Sequence, residues 1–189
     1  MSRELTEQDF TQAAQLLGCS VAAIKAVSEV EAPRGGFLPD GRPTILFEGH
    51  IFSRYTKGQY DATHPTISYP AWTKRFYKGG AGEYDRLYQA INLNRTAALM
   101  SASWGKFQIM GFNFAHCGFT SVDEFVHVME ISEGDHLKAF CLYIKDVFLD
   151  DELRDRRWAD FARKYNGPDY KKNRYAEKMA AAYKKYGGA

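Results

Sequence analysis

The chain has little that would let covalent links or metal ions hold it together. Its 189 residues include three cysteines, Cys19, Cys117 and Cys141. The count is odd and none stands at metal-ligand spacing, so neither a disulfide framework nor a zinc site is indicated, and the thiols suit a reducing compartment. Net charge is equally scarce: 25 basic against 23 acidic residues leave a formal +2, too little to argue for binding nucleic acid. No run reaches about 18 consecutive apolar residues, so no membrane span is predicted. The N-terminus, MSRELTEQDFTQAAQLLG, is acidic and amphipathic instead of a basic segment followed by an apolar run, so no export signal is expected. Internal repeats and low-complexity linkers are absent from the sequence as well.

Aromatic side chains, by contrast, are abundant. Twelve tyrosines and thirteen phenylalanines help bring the aromatic fraction to 15%, a surplus that suits a carbohydrate or base-stacking groove and equally a dense core. The length is that of one domain able to bury a full core, so residues 1–189 are expected to form a single domain acting as a monomer. Basic residues gather in the C-terminal YKKNRYAEKMAAAYKKYGGA. Helical spacing there turns Tyr175, Met179 and Tyr183 or Tyr186 inward and leaves the lysines on a solvated face; an anionic partner is the competing reading.

Local signals predict a mostly α chain. Thr6, with Asp9 three residues later, caps a first helix that Gly18 ends; Ser20 caps a second that runs to about Ala32, where Pro33 and the glycines stop it. Residues 33–44 hold three prolines and three glycines and read as a loop. Thr44 to Phe47 reads as a short strand or extended segment, and His50 to Tyr55 as the start of a helix. From Thr56 to Gly82, Gly, Pro, Tyr and Thr without periodicity predict a long loop over one face, ordered because of its aromatics. Further helices are predicted at roughly 83–99, 107–115, 121–131, 133–149, 153–165 and 170–186, which confines any small sheet to the region after the second helix.

Two glutamates close that second helix. At about 100° per residue Ile24, Val27 and Glu31 share an arc flanked by Val21 and Ser28, so Glu31 extends the apolar stripe. Glu29 lies opposite, four residues after Lys25, as a solvated ion pair would. A carboxylate that continues a core face must be hydrogen-bonded, paired with a cation or held neutral, and the last is what a general acid requires. The alternative is that the stripe simply reaches the surface at Glu31. Farther on, SASWGKFQIMGFNF (101–114) places Gln108 among apolar neighbours, where a buried amide must find partners or offer hydrogen bonds to a ligand. Ser103 and Trp104 read as shaping residues, since no His/Asp spacing supports an activated serine. FARKYNGPDY (161–170) stops a helix and leaves Tyr165 and Asn166 at its end; alone, it is a Gly-Pro helix stop with a core tyrosine.

In this order, a helix-ending glutamate with a Gly-rich loop, then ILFEGHIF, SWGKFQIMG and YNGPDY, resemble the lysozyme-like superfamily that includes goose-type lysozymes and lytic transglycosylases. More closely, the chain resembles the N-acetylmuramidase domain of phage endolysins from about Ser20 to Tyr186. The resemblance implies a lysozyme-like fold and cleavage of the β-1,4 bond between N-acetylmuramic acid and N-acetylglucosamine in bacterial peptidoglycan strands, without metal or cofactor. It carries the catalytic glutamate onto Glu31 and puts Gln108, Tyr165 and Asn166 on the walls of a saccharide groove, with Ser103 and His50 as further candidates there. His50 also reads as a structural histidine. Synthesis in a host cytoplasm and holin-dependent release to the wall are implied too.

Most glycosidases use a second carboxylate. Glu48 is the most specific candidate, Asp40 and Asp61 lying in loops. It is open to three readings: activating a water, orienting Glu31, or pairing with Arg42 or Arg54. A water held between two carboxyls roughly 6.5–9.5 Å apart would invert the anomeric centre. A lytic transglycosylase, in which the C6 hydroxyl of muramic acid attacks, needs only one carboxyl. A non-catalytic peptidoglycan-binding module needs only an aromatic groove. Trp72, Tyr77 and Tyr84 are candidates to line the saccharide site and equally candidates for core packing.

Overall fold

The computed structural model describes residues 3–166 and 173–188, with Asn166 through its backbone alone. Among these residues it holds ten α-helices and a three-stranded antiparallel sheet, the mostly α architecture with a small β element that the sequence predicts. The chain divides into two compact units, Met1–Arg34 with Ser132–Ala189, and Gly35–Ile131.

The first unit is helical. Its α1 (Glu7–Leu17) opens with a reciprocal Thr6/Asp9 capping box and closes at Gly18, whose φ of 64° only glycine adopts at no cost. Ser20 caps α2 (Val21–Glu31) by accepting the Ala23 N–H. The apolar stripe of α2 buries Ala23, Ile24, Ala26 and Val27. Around these helices stand α7 (Glu133–Asp146), α8 (Asp150–Arg154), α9 (Trp158–Asn166) and α10 (Tyr175–Lys185), with α1 against α7 and α2 against α10. Met179 and Ala182 form the buried face of α10, and Tyr183 packs on Trp158 with ring centroids 5.4 Å apart. The helix predicted over 153–165 is two helices, because Arg156 takes a left-handed φ of 60° that no α-helix can continue through.

In the second unit β1 (Ile45–Phe47), β2 (Ala102–Trp104) and β3 (Ile109–Met110) lie in that order across the sheet. The register pairs Leu46 with Ser103 and Ser103 with Met110. Helices α3 (Gly49–Tyr55), α4 (Gly82–Leu93), α5 (Arg95–Met100) and α6 (Val122–Met129) complete it. The helix predicted over 83–99 breaks at Asn94, which is extended (φ −158°) and caps α5 through the Ala97 N–H. The helix predicted over 107–115 is absent: that apolar run forms β3 and a 3₁₀ turn, Gly111–Asn113. Pairing with β2 wins there, and Gly111 seals it, since a Cβ would stand 2.1 Å from the Leu99 carbonyl oxygen. The long loop from Thr56 is ordered by burial of Ile67, Ser68 and Tyr69 and by Asp61, which accepts hydrogen bonds from Ser53 and Ser68. No single helix among the described residues is long and apolar enough to cross a membrane.

Candidate active site

Glu31 is the last residue of α2, half-buried at the end of a stripe whose preceding turn, Val27 and Ser28, is buried. Its charge is felt by Tyr175 at the start of α10: burial first, and then the Glu31 carboxylate, push that phenol above its ordinary range. Glu29 is on the solvated side as predicted, but its cation is different. Lys25 Nζ contacts both oxygens of Glu7 at 2.7 Å, and Glu29 is held by Lys185 Nζ at 2.6 Å and by the Tyr186 hydroxyl. Tyr165 lies in an aromatic cluster of the same unit, stacked on Phe161 with centroids 5.5 Å apart and edge-on to Phe140 at 5.6 Å. The side chain of Asn166 and the turn at 167–172 lie outside the described residues.

In the second unit Glu48 is the N-cap residue of α3, yet its side chain does not cap the helix. The Tyr77 hydroxyl, 29 residues away in sequence, stands 2.8 Å from Oε1 and 2.7 Å from Oε2. Burial, then the hydrogen bond to Glu48, raise the Tyr77 phenol well above its ordinary pKa, so it is a donor at neutral pH. His50 Nδ1 is 3.2 Å from Glu48 Oε2 but lacks hydrogen-bond geometry to it, so the contact becomes an ion pair only when the imidazole is protonated. Arg42, one of the two arginines read as possible partners of Glu48, instead pairs with Asp40 at 2.6 Å and lies over the Tyr84 ring at 4.1 Å.

Beneath Glu48 lies a buried ion pair that the sequence reading missed. Arg86, 2% exposed, and Glu83, fully buried, meet at 2.8 Å. Arg86 also donates to the Phe47 carbonyl at 2.8 Å and to the Tyr69 hydroxyl at 3.2 Å. Glu83 accepts the N–H groups of Lys78 at 2.6 Å, Gly79 at 3.0 Å and Phe47 at 3.3 Å. The pair therefore fixes both the residue before Glu48 and the two residues after Tyr77. In sequence it is an i,i+3 pair on an amphipathic helix, indistinguishable from a surface one.

Gln108 differs from expectation: the residue is exposed, with φ +49°, and its amide is engaged within the chain. Its oxygen accepts from Ser103 Oγ at 2.7 Å, and its nitrogen donates to the carbonyls of Thr44 at 3.1 Å and Gly105 at 2.8 Å. Ser103 and Gln108 thus clamp the β2–β3 turn to the start of β1. Trp104 is core, 3% exposed and bonded to the Leu99 carbonyl, and Tyr84 is core as well, its hydroxyl on the Pro43 carbonyl at 2.8 Å. Trp72 is the exposed aromatic of the loop. Surface concavities of about 390 Å³ between α1 and α7, and about 430 Å³ between α2 and α10, hold none of the predicted site residues. Among the described residues no group of three metal-ligating side chains converges.

The family model for N-acetylmuramidase matches residues 20–187. The crystal structure of the Burkholderia AP3 phage endolysin superposes with a TM-score of 0.92 at 39% identity, covering 99% of this chain and 72% of that one. No curated protein sequence matches the chain.

Proposed function

The chain belongs to the N-acetylmuramidase family and is a peptidoglycan-cleaving enzyme; on that premise we propose that it hydrolyses the β-1,4 bond between N-acetylmuramic acid and N-acetylglucosamine, with Glu31 as general acid. The observation that carries this reading is the place of Glu31 at the half-buried end of the α2 stripe. A general acid must carry its proton where it meets the departing oxygen, and the end of a buried stripe is a place to hold such a carboxyl beside a bound strand. Glu31 gives its proton to the N-acetylglucosamine O4 as the C1–O4 bond breaks. Water forms the new bond to C1 and yields its proton to Glu48, leaving a reducing muramic acid end of inverted configuration. Gln108 and Ser103 act by shaping the strand edge, and Tyr165, Asn166 and His50 complete the saccharide-facing set. The whole chain works as one catalytic domain and as a monomer, reaching the wall through a holin.

Digestion of purified peptidoglycan, with mass analysis of the fragments, tests the reaction. Reducing muramic acid ends are expected. Anhydromuramic ends, lighter by one water, would make the C6 hydroxyl the nucleophile and the enzyme a lytic transglycosylase. Reducing N-acetylglucosamine ends would move the cleaved bond, and binding without fragments would leave a non-catalytic module.

A further inference from the structure

We infer that Tyr77 is the positioning residue for Glu48, an inference that rests on Glu48 being the second carboxylate of the reaction proposed above. The phenol oxygen is within hydrogen-bond distance of both carboxylate oxygens, 2.8 and 2.7 Å, so its one proton bridges the mouth of the carboxylate and opposes rotation about the terminal bond of Glu48. A charge-assisted bond of this kind is about twice as strong as a neutral one.

Both ends of the contact are held by one buried object. Phe47, next to Glu48, gives its carbonyl to Arg86 and its N–H to Glu83, and the N–H groups of Lys78 and Gly79, next to Tyr77, go to the other oxygen of Glu83. The Tyr77 ring lies 5.8 Å from the Arg86 guanidinium carbon. Burying a full ion pair to satisfy the backbone on either side of a single phenol–carboxylate contact makes that contact geometrically fixed before substrate arrives. The competing explanation is that Tyr77 only latches the loop to α3.

A double-mutant cycle on solubilised glycan strands separates the two. Tyr77→Phe keeps the ring and removes only the hydroxyl. We expect it to lower kcat about tenfold, the lower end for a lost hydrogen bond to a charged group, with KM and Tm near wild type. In a Glu48→Gln background the same substitution should cost nothing further, because the carboxylate it orients is gone. An equal loss in both backgrounds, or a loss that follows a fall in Tm, would make Tyr77 a latch and overturn the inference. Wild-type activity of Tyr77→Phe beside an impaired Glu48→Gln overturns it too, while sparing the role of Glu48. Full activity of Glu48→Gln would instead remove the base assignment on which the inference rests.

Discussion

Replacing Arg86 by methionine tests whether the buried ion pair organises the second unit. The substitution roughly conserves volume but deletes the charge and the donors to Glu83, Phe47 and Tyr69. Glu83 keeps three backbone donors yet stands fully buried without a counter-charge. Breaking one side of a buried pair costs about 3–5 kcal/mol. At about 2–4 °C per kcal/mol for a chain of this size, the melting temperature should fall by roughly 10 °C. The decisive measurement is the second substitution. Glu83→Gln should destabilise the wild type, where it strands the guanidinium, but stabilise Arg86→Met, because a neutral amide oxygen still accepts the Lys78 and Gly79 N–H groups and needs no cation. Thermal and urea unfolding of the four proteins would reveal that reversal of sign. If Glu83→Gln is destabilising by the same amount in both backgrounds, charge pairing is not what holds Phe47 and the 78–79 turn together.

Glu31→Gln should abolish peptidoglycan clearing with Tm unchanged, while Glu29→Gln retains activity; residual turnover above a few per cent of wild type in a folded Glu31 variant would refute the acid assignment. Gly111→Ala should lower stability by about 1–3 kcal/mol through overpacking against the Leu99 carbonyl, 2.1 Å from the new Cβ, and an unchanged urea midpoint would contradict the fit of β3. The hydrogen bond from Lys185, then that from Tyr186, hold the Glu29 carboxyl below its ordinary range. A depressed folded pKa contributes stability above the unfolded value of 4.5 and loses it as pH falls through the folded one. Lys185→Ala should therefore lower Tm slightly at pH 7 and by less as the pH falls below 4.5, and a shift independent of pH would argue against the pair.

What was legible in the sequence is what neighbours within a few residues determine. The Thr6/Asp9 box, the Ser20 cap and the Gly18 stop are all local hydrogen-bond patterns, and each stands where its spacing predicts. The amphipathic stripe likewise brought Glu31 to the end of a buried face. Partners set by tertiary folding were not legible. Lys25 goes to Glu7, 18 residues upstream, and Glu48 to Tyr77, 29 residues downstream, because side chains choose among whatever the backbone brings near. Gln108 departs from its expected burial for a related reason: its apolar neighbours are buried by alternation along the hairpin, while Gln108 itself turns outward in a left-handed conformation and finds its amide partners in the turn. The ion pair of Glu83 and Arg86 was hidden because nothing in an i,i+3 spacing tells a solvated pair from one that feeds a distant loop.

The division of the chain has a consequence for the order in which the enzyme is made. Gly35–Ile131 is one continuous stretch, so it can fold as soon as it clears the ribosome. The other unit is interrupted: α2 is synthesised early but packs on α10, whose residues Tyr175–Lys185 come from the far end of the chain. Until those are translated, the helix that carries Glu31 has α1 and α8 against it but lacks α10. Wall-degrading activity should therefore wait on synthesis of α10, and a ribosome-bound chain stalled before Tyr175 should be inert.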